Sequence, residues 1–504
     1  MGSLKLVAPP VEDPVQERTL QKSYWTDHSL EASVEAMMLD SQAKMIDREE
    51  RPEVLAMLGC VEEKRILELG AGIGRFTGPL AVTARSVLAV DFMEHLIEEN
   101  KRANGHRRNV KWRAADATEL ELPAASFDVV FSNWLLMYLS DDEVSKLASD
   151  ALRWVEEDGI VFFRESCFRQ SGDKARKSNP THYRNPRQYF KIFDDIEMRE
   201  KDGRYAHYEL LSCKPVDAYC RIKKNQNQIC WKWRKVMTAE PQKGTFRAFL
   251  DSVQYSRTGI LRYERIFGPG FVSTGGLETT KEFVELLALK PDERVLDVGC
   301  GIGGGDFYMA SKYGAFVHGV DLSVNMVTTA LERAFAAKDG HKVTFEIADI
   351  TSCELTPESY DVVYSRDTIL HIHDKPALFK RFLKVLKPGG RLLISDYCKA
   401  PGQPSEDFAV YIKQRGYDLH SVEEYGRMLQ GAGFAGVKAE DRTWQFKASL
   451  KRELKTAQEG RAAFVSDFSE KHYDAIIGGW QDKLERVAGG AQKWGLFTAT
   501  KPAA

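Results

Sequence analysis

The spacing of apolar residues switches between two periods along the chain. Short β-branched runs such as RILEL (65–69), SVLAVD (86–91) and FDVVFSN (127–133) are separated by segments such as MEHLIEENKRANG (93–105), where apolar residues recur at helical intervals. Strand and helix in alternation predict parallel βαβ units. With right-handed crossovers these wind into a sheet covered on both faces, whose ligand crevice lies beyond the carboxyl ends of the strands. The plan occurs twice. RILELGAGIGRF (65–76) returns as RVLDVGCGIGGG (294–305), an offset of 229 residues, and the later runs return in order as AFVHGVD, VTFEIAD and YDVVYSR. The interval from Asp116 to Ser132 equals that from Asp349 to Ser365, 16 residues in each case, so spacing is duplicated as well as composition.

The first copy runs out near residue 235, and MTAEPQKG (237–244) reads as a linker. Two α/β domains follow, 1–240 and 241–504, each a mostly parallel, doubly wound, Rossmann-like sheet. The helical stretch LEASVEAMMLDSQ (30–42), with Leu30, Val34, Met37 and Met38 on one side, serves either as a lid or as a helix packed on the sheet. Composition supports a folded chain, 43% apolar and 29% charged, in which 71 basic and 73 acidic residues leave a net charge of −2. No global field favours nucleic acid or an anionic membrane, so an anion site must be local. The basic and aromatic stretches 164–191 and 221–235 read more readily as solvated faces than as a nucleic-acid track. Eight cysteines without a CxxC pair fit reduced thiols, and no run approaches the roughly 18 apolar residues of a membrane span. A soluble, cytoplasmic, monomeric protein is expected, without nucleic acid, membrane insertion or metal.

Glu68-Leu-Gly70-Ala-Gly72 and Asp297-Val-Gly299-Cys-Gly301 each close a strand and turn without Cβ atoms into a helix, which lets a ligand approach the backbone. The second copy also satisfies GxGxxG through Gly304; Arg75 stands at that place in the first. An acid two residues before the first glycine puts negative charge where a pyrophosphate would sit, and suits a cationic ligand instead. Asp91 and Asp321, closing the second strands, can accept from ribose hydroxyls. Asp116 and Asp349, closing the third, can accept from an exocyclic adenine amine. Acids at three successive strand ends, twice over, describe adenosine beside a positive centre.

This arrangement resembles the class I S-adenosylmethionine-dependent methyltransferases in both halves. The resemblance implies S-adenosylmethionine as cofactor and S-adenosylhomocysteine as product, and puts Ala117, Asn133, Leu322, Ile350 and Arg366 beside it. More specific pieces follow: VQYSRTG (253–259), FGPGFVSTGGLETT (267–280), YSRDTILHIHD (364–374), SDYC (395–398), YIKQRGYDL (411–419), GGWQDK (478–483) and WGLFTATK (494–501). Together they resemble the phosphoethanolamine N-methyltransferases, and the tandem order with YWTDHSLEASVEAMMLDSQA in front is similar to the plant type. The resemblance implies three successive N-methylations to phosphocholine, feeding choline and phosphatidylcholine synthesis, the first by the first half and the other two by the second. It also implies that Tyr255 and His371 form a polar latch that assists loss of the amine proton, and that Asp367 faces the growing cationic nitrogen. Gln254, Ser273, Tyr397, Arg415, Tyr417 and Lys483 would then hold the phosphobase. Four residues separate Asp367 from His371, and a helix beginning at Asp367 would carry both on one face.

The first half departs from this pattern. Trp134 and Tyr138 align with Asp367 and His371, Ser166 with Tyr397, and Tyr24 with Tyr255. HYR (182–184) lies roughly where QRGY lies, which makes Tyr183 and Arg184, with His182 third, the expected phosphate ligands. A small-molecule C- or O-methyltransferase of sterol or quinone type is the alternative within the enzyme class; an RNA-binding methyltransferase-like protein is the alternative outside it.

Overall fold

The computed structural model describes residues 14–28, 33–173, 181–242 and 244–503. The chain divides into two compact units, Met1–Thr245 and Phe246–Ala504, so the break lies at 245/246 against the expected 240/241. Leu30 of the expected lid helix, and residues 174–180 of the first basic stretch, lie outside the described residues.

In the first unit β1 (Arg65–Leu69), β2 (Ser86–Asp91), β3 (Val110–Ala114), β4 (Phe127–Asn133) and β5 (Val155–Ser166) pair in parallel, while β6 (Glu197–Arg199), β7 (Tyr205–Pro215) and β8 (Gln228–Thr238) are antiparallel. Their order is β7-β8-β5-β4-β1-β2-β3. The second unit repeats this with β9 (Arg294–Val298), β10 (Phe316–Asp321), β11 (Val343–Ile347), β12 (Tyr360–Arg366), β13 (Leu386–Lys399), β14 (Ala435–Asp441) and β15 (Gln492–Thr500), in the order β14-β15-β13-β12-β9-β10-β11. Strand order reverses between β1 and β4, and between β9 and β12, which opens a crevice at the carboxyl edge where the motif acids sit.

The central strands are buried along nearly their whole length because both faces are covered: β1 from Ile66 to Leu69 and β9 from Val295 to Val298. Each core side chain of this size contributes about 1.5–3 kcal/mol by leaving water. The helix Asp141–Trp154 begins at a capping box, in which Ser140 Oγ accepts from Glu143 N and Glu143 Oε2 accepts from Ser140 N (2.8 Å), and ends on the fully buried Trp154.

The units differ in what precedes the last strand. Between β7 and β8 the first carries only the short helix Asp217–Ile222, whereas between β14 and β15 the second inserts the helices Thr443–Glu459, Arg461–Asp467 and Glu470–Ala488. The last of these brings Trp480 and Lys483 to the second unit's site.

Candidate active sites

The first-unit cavity gathers Glu68, Gly70, Gly72, Asp91, Asp116, Ala117 and Asn133, the full set expected to hold a cofactor there. Asp91 is fixed by the glycine turn itself: Oδ2 accepts from Gly72 N and Oδ1 from Met93 N, both at 2.9 Å. Glu68 accepts from Thr77 Oγ1 (2.6 Å), and burial pushes its carboxyl up to about 8. Asp116 accepts from Thr118 N and Oγ1 on one oxygen and pairs with Arg18 Nε (3.3 Å) on the other.

The acceptor side of this cavity is bounded by Trp134, Tyr138, Ser166, Tyr219 and Gln228. Trp134 takes a left-handed φ of 58° and donates from Nε1 to Gln228 Oε1 at 2.7 Å. The Arg164 guanidinium lies 3.9 Å from its ring centroid, and that of Arg75 lies 5.2 Å away. Both cations are buried and neutralised, Arg75 by Asp47 and Glu50 and Arg164 by Glu50. The residue that interrupts the first glycine motif thus has a structural partner set. In the second unit Gly304 packs so closely that a Cβ would stand 2.1 Å from Gly270 O.

Four residues expected at the first-unit site, Tyr24, Tyr183, Arg184 and His182, are not among those that bound this cavity. Tyr24 is buried but does not bound the cavity; its neighbour Trp25 does, packed edge-on against Tyr138. Tyr24 belongs to a regular α-helix, Pro14–His28, whereas Tyr255 follows a π-helical turn, Leu250–Gln254. Arg184 is buried away from the cavity because its guanidinium donates to Leu136 O (3.0 Å), Leu139 O (2.6 Å) and Asp141 Oδ1 (2.7 Å). Tyr183 does not bound the cavity either, and His182 pairs with Glu17 while its N donates to Met137 O.

The second unit has two adjoining cavities. One, of about 670 Å³, is bounded by Asp297, Gly299, Gly301, Asp321, Leu322, Asp349, Ile350 and Arg366, together with Ser273. This volume falls within the range of small-molecule sites. The other is bounded by Gln254, Tyr397, Arg415, Tyr417 and Lys483. Tyr255, Val272, Asp367 and His371 line both and form the wall between them. Gly299, at φ +78°, is required here, since a Cβ would stand 2.0 Å from Thr368 Oγ1 on the loop after β12.

In the larger cavity Asp321 accepts from Gly301 N (3.0 Å) and Ser323 N (2.8 Å), and burial pushes its carboxyl up to about 6. Asp297 is also raised by burial and by its neighbour Asp306. Asp349 uses one oxygen for Thr351 N and Oγ1. Arg366 lines the cavity, but its guanidinium donates to Thr279 Oγ1 and Thr280 Oγ1, both at 2.6 Å, and so holds the start of the helix Gly276–Leu286.

Asp367 and His371 do not share an α-helical face. Asp367 follows β12 in a left-handed conformation (φ 50°), as Trp134 does after β4, and His371 closes the 3-10 turn Ile369–His371. They meet because the loop is pinned: Asp367 Oδ2 accepts from Thr274 N (3.1 Å) and Oδ1 from Trp494 Nε1 (2.8 Å). Burial among Phe246 and Tyr417, whose rings lie 5.5 and 5.0 Å from its own, depresses His371 to about 4, so the ring is neutral at pH 7. At the far end Lys483 Nζ lies 4.4 Å from the Trp480 ring, and burial holds it below the ordinary lysine range. Arg415 lies over Tyr411 at 5.7 Å.

Sequence reasoning missed the braces. Glu165 accepts from Leu135 N, Leu136 N and Met137 N, holding the Trp134 loop. Asp396, aligned with it in the SDYC and RESC pieces, sits fully buried beneath the corresponding loop and accepts from Tyr425 Oη (3.3 Å). An acid at matching places in the two copies was the available signal. Glu453, which accepts from Gly275 N (2.7 Å) and Trp480 Nε1 (2.8 Å), carried no such signal because its helix has no counterpart in the first unit.

Among the described residues no group of three or more His, Cys, Asp and Glu side chains could hold a metal, and no helix is long and apolar enough to cross a membrane.

Two family profiles, each described as a methyltransferase domain, match residues 67–163 and 289–441. The chain is 58% identical over 488 residues to phosphoethanolamine N-methyltransferase 1 of Arabidopsis thaliana, covering 96% of this chain and 99% of that one. It is 58% identical over 489 residues to phosphoethanolamine N-methyltransferase 1 of Zea mays, covering 97% of each. Among solved structures it is similar to Haemonchus contortus phosphoethanolamine N-methyltransferase 2 in complex with phosphomonomethylethanolamine and S-adenosylhomocysteine, at 29% identity and a TM-score of 0.75, covering 91% of this chain and 99% of that one.

Proposed function

The chain belongs to the phosphoethanolamine N-methyltransferases, and from that premise we propose that it carries methyl groups from S-adenosylmethionine to the nitrogen of phosphoethanolamine through to phosphocholine, the first unit making the first transfer and the second unit the other two. The observation that carries this reading is the pair of cavities in the second unit. One is lined by the acids that suit adenosine and a cation, the other by Arg415 and Lys483, and they meet at Tyr255, Asp367 and His371.

Bound S-adenosylmethionine supplies an electrophilic methyl on a positive sulfur. The residues present fit it: Asp321 offers a carboxylate held by two backbone N–H groups, and Asp297 a buried acid beside the glycine turn. The substrate's ammonium has no lone pair until it loses a proton. His371, neutral at pH 7, is placed to accept that proton, directly or through Tyr255. Asp367, held by Thr274 N and Trp494 Nε1, faces the nitrogen, which becomes a quaternary cation with the third methyl. Arg415 and Lys483 anchor the phosphate, so the nitrogen is presented in line at the wall between the cavities. In the first unit the indole of Trp134 replaces that carboxylate and narrows the acceptor side, which suits a primary amine.

Phosphoethanolamine is expected to be used about 10²–10⁴-fold better than ethanolamine in kcat/KM, since the charge-assisted bonds of Arg415 and Lys483 to the phosphate contribute about 1.5–3 kcal/mol each. Equal use of the two acceptors would end the phosphobase reading.

Asp321 must be ionised to accept from ribose hydroxyls. With its carboxyl raised to about 6, protonation competes below that pH. The second unit's affinity for S-adenosylhomocysteine is expected to weaken about tenfold per pH unit below 6 and to level off above 7. Calorimetry on the Asp91→Ala chain across pH 5 to 8 checks this, and a flat profile would contradict it.

A further inference from the structure

The segment that carries Gln254 and Tyr255 is fastened to the loop that carries the ribose acid. Asp321 Oδ1 accepts from Ser323 N (2.8 Å), and Ser323 Oγ donates to Asp251 Oδ1 (2.5 Å). Asp251 also accepts from Val324 N (3.1 Å) and Asn325 N (3.2 Å), so a carboxylate from the π-helical turn Leu250–Gln254 satisfies open N–H groups at the start of the helix Val324–Ala334. The connection is returned: Asn325 Nδ2 donates to Asp251 O (3.0 Å) and Tyr255 O (3.1 Å). Arg247 Nε adds a bond to Leu322 O (3.2 Å), and Leu322 itself lines the larger cavity. The fastened segment includes the π-helical turn Leu250–Gln254, a winding that is uncommon outside functional sites.

From this geometry we infer that Asp251 and Asn325 are positioning residues that couple occupancy of the ribose site to affinity for the phosphobase in the second unit. They touch neither ligand's expected place. Asp251 ties residues 323–325 to the π-helical turn, and Asn325 ties them to the backbone of Tyr255, which lines both cavities. A ligand that orders the 321–325 loop thereby orders Gln254 and Tyr255, whose side chains are themselves joined (Gln254 Nε2 to Tyr255 Oη, 3.0 Å). A second ligand then meets a segment already arranged. Among the described residues of the first unit, no side chain caps the corresponding helix Glu94–Asn104. Met93 stands before it, where Ser323 stands in the second unit. There the front helix is tied instead through Arg18 to Asp116, the acid expected for adenine.

The inference rests on the placement of cofactor and phosphobase proposed above. Its test uses the full chain with the first unit silenced by Asp91→Ala, and titrates phosphodimethylethanolamine calorimetrically with and without saturating S-adenosylhomocysteine, a pair that cannot react. The parent is expected to bind the phosphobase about tenfold tighter when S-adenosylhomocysteine is present, within the usual range of coupling between sites. Asp251→Ala and Asn325→Ala are each expected to reduce that factor below about twofold, while S-adenosylhomocysteine alone binds within about threefold of the parent. Asp251→Asn, which keeps an acceptor oxygen for Ser323 and Asn325, is expected to restore part of the factor. Equal weakening of both ligands, with the factor unchanged, would assign a merely structural role and overturn the inference. If Asp251→Ala does not fold, Asn325→Ala decides by the same factor. No phosphobase binding to the parent in either state would overturn the acceptor placement and this inference together. Intact binding with a factor indifferent to both substitutions, or with no coupling in the parent, overturns the inference alone.

Discussion

With alanine at Asp321 in the full chain, phosphoethanolamine is expected to be consumed at close to the normal rate and to accumulate as the singly methylated phosphobase, while turnover of the two methylated acceptors falls by about 10²–10⁴-fold. The magnitude follows from removing two charge-assisted hydrogen bonds to a ribose, about 1.5–3 kcal/mol each. Alanine at Asp91 gives the reverse: the primary amine is left unmethylated, and singly methylated phosphobase supplied from outside is still carried to phosphocholine. Each carboxylate is held by a pair of backbone N–H groups, Gly301 and Ser323 in one unit, Gly72 and Met93 in the other, so alanine also frees two donors beside the glycine turn. Asparagine at the same positions keeps an acceptor for one of them and separates loss of charge from disturbance of the turn. Product analysis by mass with unmethylated, singly and doubly methylated acceptors gives the answer. Normal methylation of phosphoethanolamine by Asp91→Ala would mean that the opening step does not belong to the first unit.

The contrast between the units also shows where sequence stops being informative. Both glycine turns and the acids at three strand ends were legible because local rules create them: a strand must end, the chain must turn without Cβ atoms, and a carboxylate at that edge can reach only the crevice. Spacing therefore located Glu68, Asp91 and Asp116, and Asp297, Asp321 and Asp349, without any tertiary information. The acceptor side is different in kind. Asp367 and His371 are four residues apart, a helical spacing, yet they face the cavities from a left-handed strand end and a 3-10 turn, and what fixes them is Thr274, from nearly a hundred residues earlier, and Trp494, near the chain's end. Residues so distant in sequence leave no periodic trace. Arg184 shows what residue type alone leaves open. Chemically it is a good phosphate ligand, but three acceptors of the Leu136–Asp141 stretch claim its guanidinium. Tyr24 lies within a regular α-helix whereas Tyr255 follows a π-helical turn, a difference between aligned segments that residue spacing does not reveal.

Lys483 is the other place where a single substitution is expected to act strongly, and there the effect should fall on KM. Its ammonium is buried beside the Trp480 ring, and burial holds its pKa below the ordinary lysine range while Glu453 opposes that fall. A phosphate dianion entering the cavity favours the protonated form, so phosphobase binding and protonation of Lys483 reinforce each other. Methionine at this position keeps the length and removes the charge, and is expected to raise KM for the methylated phosphobases about 10²-fold, with kcat changed far less because the nitrogen end is untouched. Arg415→Lys is expected to weaken binding less, about tenfold, since a lysine retains the charge but not the planar donor pair. The sign of the pH effect is fixed by the direction of the shift. A lysine held below its usual pKa of about 10.4 loses its proton earlier as pH rises, so KM climbs on the alkaline side below that value. Lys483→Met removes this climb because nothing at that position is left to titrate. A variant with unchanged KM at neutral pH, or one that keeps the alkaline climb, would show that the phosphate is anchored elsewhere in the cavity.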